Sequence, residues 1–353
     1  MRTRNSVFTP AGARLMAAAA VVVLASAAGF AQGKSEVVKS SKVHDGVYEI
    51  VVSPSSGNVY VAAIGKRGEN TGTVMTLDPV TLAVKSTIDV SAQAAFGLGI
   101  NDKTQMLYTS NTRNGNVSAI DLKTGKTVAI IGDPAEPKAH TFKVLVDEVN
   151  NLVYVSIAAR TGKIWVIDGK TNALAHTIDS GVTTVGMVID PNTGKLYAAN
   201  LGANEIVEVD PKTRQVTRRF PAGGERPTQM VIDAKTSRLF VTNQGTGDIS
   251  ILDTRTGNLI RTVKTGAQAL GIGFNPANNR IYVANRTAGT VSVINAETYV
   301  VEATLTTGSL PNTVAINPKT NATYVTNKAK AGPRDAPPVD DPAGDTVTLI
   351  TSK

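Results

Sequence analysis

The chain is 353 residues long, 42% hydrophobic and free of cysteine, and it carries a formal net charge of +8. Such a length can bury a core without disulfides, and the missing thiols exclude thiolate metal sites and thiol catalysis. The mildly basic balance admits an anionic partner without demanding one.

Residues 1–31 read as a targeting segment that takes no part in the fold. Arg2, Arg4 and Arg14 form its positive end, 15–24 its apolar run, and Gly29-Phe30-Ala31 offers small residues for cleavage, so the mature chain is expected to begin at Gln32. An alternative cut follows Ala27. The apolar run is far shorter than the roughly 20 residues that span a bilayer, and no other stretch is a candidate, so no integral membrane segment is expected. Without the three arginines, 33 basic residues face 28 acidic ones, a net +5.

From 35 to 353 one unit repeats. In 271–308 it reads GIGFNPANNRIYVANRTAGTVSVINAETYVVEATLTTG: four short alternating strands, separated by turns whose Asn side chains bond their own backbone. The second strand carries an aromatic anchor, in chain order Tyr60, Tyr108, Tyr154, Tyr197, Phe240, Tyr282 and Tyr324. Seven positions before each anchor stands a residue that starts a turn: Ser53, Asn101, Asp147, Asp190, Asp233, Asn275 and Asn317. A four-stranded sheet cannot bury both faces alone, so seven copies predict an all-β, seven-bladed β-propeller. The last blade runs out after its third strand at 346–351. Residues 37–42 align with 259–264, an outer strand, so an N-terminal strand is expected to complete blade 7 and cover its edge.

The runs INPKTNATYVTN (316–327), VIDAKTSRLFVTN (231–243) and FNPANNRIYVAN (274–285) resemble the signature of the YVTN-repeat propellers, and length, export signal and blade count are similar to the secreted YncE-type members. Blade 1, with YVAA at 60–63, and blade 3, with YVSI at 154–157, lack the terminal Asn. The resemblance implies a periplasmic protein, and single-stranded DNA binding is attributed to that family. The motif residues build the blade and do no chemistry.

In such a ring, the loops between second and third strands and between successive blades share one face. They are the longer and more varied set, which makes theirs the candidate binding face. It carries Lys66, Arg67, Arg113, Lys138, His140, Arg160 and Lys163 in blades 1 to 3, and beyond them Arg226, Arg286, Lys328, Lys330 and Arg334. Where the inner strands enter the channel the series reads Tyr48, Phe96, Phe142, Val185, Thr228, Leu270, Asn312. Its three aromatics share a sector with the basic cluster, a combination suited to stacking bases and tracking phosphates. The position also has the parity of the buried interblade residues, which makes packing the competing reading. One residue further on, Glu49, Lys143, Gln229 and Thr313 are the polar groups of the channel wall, where they would orient a small ligand or hold water.

The Asp residues that recur after the third strands (Asp78, Asp121, Asp168, Asp210, Asp253) read as turn caps on the rim, not metal ligands. Trp165, the sole tryptophan, reads as packing. With only His44, His140 and His176, no multi-histidine metal centre is expected. The insertion at 327–346 carries four acids that could collect calcium, but a solvated loop accounts for them. The expectation is therefore a monomeric, non-catalytic periplasmic binding protein with no cofactor and no metal, binding single-stranded DNA or another extended anionic partner. Two alternatives are a propeller enzyme of the lactonase, lyase or quinone-dependent dehydrogenase type, and a scaffold for protein partners.

Overall fold

The computed structural model describes residues 1–3, 34–66, 68–332 and 339–352. The targeting segment expected over 1–31 lies, but for its first three residues, outside the described residues. All the described strands belong to the unit Gly33–Lys353.

Seven antiparallel four-stranded sheets make up this unit. Six are continuous in sequence, spanning 47–89, 97–131, 141–181, 184–221, 227–264 and 269–306. The seventh joins Pro311–Ile316, Thr323–Asn327 and Thr346–Ser352 to an outer strand from the opposite end of the chain, Ser35–Lys42. That strand pairs from Ser35 opposite Ser352 to Lys42 opposite Thr346, with one bulge between Val37 and Lys39. Each inner strand touches the inner strand of the next blade, and the series closes from blade 7 back to blade 1. The expected seven-bladed ring and its N-terminal closure are both present.

Seven hydrophobic clusters hold the ring, one in each gap between neighbouring blades. Every anchor aromatic belongs to the cluster it forms with the following blade; Tyr108, for instance, packs with Val144, Val153 and Trp165 of blade 3. Several anchor hydroxyls reach the same way. Tyr108 donates to Asn172 Oδ1 at 2.7 Å and Tyr324 to the Pro79 carbonyl at 2.8 Å, each in the next blade. A strand that reads as alternating in sequence thus has two buried faces, one towards each neighbour.

The turns behave as their side chains dictate. All seven first-turn residues accept a main-chain N–H two or three positions ahead. Asp78, Asp121, Asp168, Asp210, Asp253 and Asn295 do the same after the third strands. Trp165 is fully buried between blades 2 and 3.

A cation-rimmed cavity at the channel mouth

In six blades the inner strand carries a bulge just after it enters the sheet. In blade 5, Pro227 pairs with Asn243 and Met230 with Val241, so Thr228 and Gln229 together oppose the single residue Thr242. A bulge of this kind breaks the alternation of side chains. The bulged pairs are the two channel series read from the sequence, Tyr48-Glu49, Phe142-Lys143, Val185-Gly186, Thr228-Gln229, Leu270-Gly271 and Asn312-Thr313. Blade 2 reaches the same place without a bulge, through Phe96 and Gly97.

In blades 3, 5 and 7 a Ser or Thr in the third position of the YVTN-like run stands opposite the bulge and resolves its hydrogen bonding. Thr242 Oγ1 accepts from the Gln229 amide at 3.0 Å and donates to the Leu270 carbonyl of the next blade at 2.7 Å. Ser110, Ser156 and Thr326 make the same pair of bonds, reaching Phe142, Val185 and Tyr48. The last closes the ring from blade 7 to blade 1. The motif's terminal Asn then ties the hairpin beyond it: Asn243, Asn285 and Asn327 each donate to two polar side chains of the third strand. In blades 4 to 7 the residue after that Asn stands at the mouth of the channel, Leu201, Gln244 and Arg286 in the cavity wall and Lys328 over the Tyr48 ring.

These positions enclose a cavity of about 250 Å³. All seven members of the first channel series line it, with Glu49, Gly97, Gln229 and Thr313 from the second, and Leu201, Gln244 and Arg286 from the rim. At the level of the second series the Lys143 ammonium lies 3.5 Å from the Glu49 carboxylate. This pair joins blade 3 to blade 1 past Gly97, which adds no side chain between them. Burial pushes the Glu49 carboxyl up, and the Lys143 charge opposes that. Thr313 Oγ1 is spent on Thr326 and the Tyr48 carbonyl. Gln229 differs: among the described residues its side-chain amide has no hydrogen-bond partner.

Cations stand over the aromatic sector. The Lys328 ammonium is 3.6 Å from the Tyr48 ring centroid, and the Arg113 guanidinium 5.4 Å from that of Phe96. The two rings meet edge to face at 5.0 Å. Arg286 donates to Asn312 Oδ1, and Asn312 in turn donates to the Tyr48 carbonyl. Among the described residues none of Arg113, Arg286 and Lys328 forms an ion pair with a carboxylate. Burial, with Arg286 and Arg113 close by, pulls the Lys328 ammonium down to about 7 against the opposing pull of Asp345.

The remaining residues of the basic cluster lie apart from the cavity lining. Lys66 is paired with Glu69 at 3.3 Å, and Lys163 with Glu136. Lys138, His140 and Arg160 are exposed on the connections around blade 3. Arg67 lies outside the described residues. Of the three cations over the aromatic sector, Arg113 belongs to the cluster expected in blades 1 to 3, and Arg286 and Lys328 come from blades 6 and 7. In the blade 7 insertion, Asp341 accepts from Ser309 and the Lys330 amide, and Asp345 from the amides of Val47 and Ala329. These acids hold backbone, and no group of three or more metal-binding side chains is found among the described residues. No helix among those residues is long and apolar enough to cross a membrane.

A ring of seven four-stranded blades, with an aromatic-lined cavity at the mouth of its channel, defines a β-propeller. The chain belongs to the YNCE-like beta-propeller family, whose model matches residues 68–332. Over 205 residues it is 30% identical to the uncharacterized protein YncE of Escherichia coli O157:H7, covering 55% of this chain and 56% of that one. Over 201 residues it is 31% identical to the uncharacterized protein YncE of Salmonella typhi, with the same shares. For strain K12 of Escherichia coli the figures are 30% over 202 residues, 54% and 56%. The chain spans about half the length of the curated relatives that it matches.

Proposed function

We propose that this chain is an exported, non-catalytic binding protein that takes an extended anionic partner, single-stranded DNA before others, at the channel mouth. One observation carries the reading: Arg286 lines an aromatic cavity while Lys328 and Arg113 stand over its Tyr48 and Phe96 rings, and none of the three has a carboxylate partner among the described residues. Cations left unpaired beside ring faces are what a strand of phosphates and unstacked bases requires. Lys138 and Arg160 extend the positive path outward along the loops, whereas Lys66 and Lys163 are largely neutralised by their glutamates. A duplex hides its base faces and fits the mouth less well.

Titration of labelled oligonucleotides at several salt concentrations tests this. The wild type is expected to bind single strands more tightly than duplex, with little sequence preference. Replacing Arg113 and Arg286 by Ala should flatten the salt dependence by roughly 0.7 in log K for each phosphate no longer bound. If no strand binds at low salt, or the double variant matches the wild type, the reading fails. Export is checked separately: the mass of the protein recovered from periplasm should begin at Gln32, and an intact Met1 on a cytoplasmic product would contradict it.

A further inference from the structure

We propose that the channel mouth is a site for one nucleotide, whose base occupies the cavity while its terminal phosphomonoester rests on Lys328, Arg286 and Arg113. The inference builds on the strand-binding reading above but narrows it to a strand end or a free mononucleotide.

Size is the first ground. At about 250 Å³ the cavity is slightly smaller than the roughly 300 to 1,000 Å³ of ordinary small-molecule sites. The polar ring of Glu49, Gln229 and Thr313 lines its inner level, so one planar group fits and a stack does not. Chemistry is the second. Tyr48, Phe96, Phe142, Val185 and Leu270 supply apolar wall for a ring. The unpartnered amide of Gln229 offers both a donor and an acceptor to a base edge.

The third ground is how the cations converge. They reach one place from three blades, and Arg286 and Arg113 are near enough to Lys328 to disfavour its charge. A phosphodiester carries one negative charge, whereas a phosphomonoester carries about 1.5 to 2 near neutral pH. The compact, doubly charged group relieves that crowding best. Its arrival favours the charged form of Lys328, so binding is coupled to proton uptake. The groups facing that ammonium are the Tyr48 ring, Arg286, Arg113 and Asp345. Since burial and the neighbouring arginines bring the unliganded Lys328 ammonium down to about 7, affinity should fall as pH rises from 7 to 9. The limit is about tenfold per pH unit while one proton is taken up.

The test uses the mature chain, a 3′-labelled oligothymidylate with and without a 5′-phosphate, and two competitors, thymidine 5′-monophosphate and thymidine. The 5′-phosphate should tighten binding about tenfold or more, and the monophosphate should compete where the nucleoside does not. Lys328→Gln should lose that preference, and Lys328→Arg should keep it while abolishing the fall between pH 7 and 9. Gln229→Leu should weaken the monophosphate but not inorganic phosphate, with circular dichroism confirming that each variant is folded. If strands bind equally with either end and the monophosphate does not compete, the one-nucleotide site is overturned while strand binding stands. If the monophosphate binds and no oligonucleotide does, the site holds and its source is a free nucleotide. If nothing binds at low salt, both readings fall.

Discussion

Thr242→Val removes one hydroxyl and almost no volume, so it isolates the bond by which the blade 5 bulge is tied to blade 6. The hydroxyl is fully buried. Its loss removes the side-chain acceptor of the Gln229 main-chain N–H and the shorter of the two hydroxyl donors to the Leu270 carbonyl, which keeps the Thr228 hydroxyl at 3.3 Å. An unsatisfied buried group costs about 1 to 3 kcal/mol, and with the carbonyl still partly served the sum comes to roughly 2 to 4 kcal/mol. Thr242→Ser keeps the hydroxyl and gives up one methyl, at about 1 kcal/mol. Urea unfolding followed by circular dichroism, with the buried Trp165 as a second probe, measures both. If the slope is about 3 kcal/mol/M, valine should lower the midpoint by about 1 M with the slope unchanged. A valine variant melting with the wild type, or a serine variant falling as far as valine, would refute the role given to this residue.

At Gly186, alanine would drive its methyl into the Thr228 carbonyl oxygen and stand 2.8 Å from Gln229 Cα. Both are backbone, so a loss of about 1 to 3 kcal/mol is expected; Gly132→Ala, whose nearest neighbour would be 3.7 Å away, should melt as the wild type does. Deleting 35–42 exposes the edge of Thr346–Ser352, and the truncated chain should unfold earlier and self-associate on size exclusion; an unchanged midpoint with a monomeric profile would argue against the closure. His176 has two buried ring nitrogens without partners among the described residues, and burial lowers its pKa from 6.5, with Arg214 adding to the effect. Its folded value is the lower one, so its contribution is complete above 6.5 and is lost as pH falls through the folded value. The stability difference between wild type and His176→Gln should change in that window and stay flat above it.

Strand number, blade phase and ring closure were legible in the sequence because each rests on local pattern. An anchor aromatic repeats in register, a capping side chain starts each first turn, and a blade one strand short calls for its partner at the other terminus. The positions around the channel could be counted off in the same way, and all seven of the first series line the cavity. What they do there could not. Parity pointed Tyr48, Phe96 and Phe142 towards interblade packing, but a bulge is an irregularity of pairing between two strands, and in blades 1 and 3 it turns successive residues to the channel together. Charge was equally opaque along the chain. Lys66 and Lys163 read as members of a basic cluster, and only the fold set Glu69 and Glu136 against them, whereas Arg286 and Lys328, some 40 residues apart, became neighbours only when blades 6 and 7 closed on blade 1. Alternation and spacing are properties of one strand; burial, ion pairing and a depressed lysine arise from side chains that only the closed ring brings together.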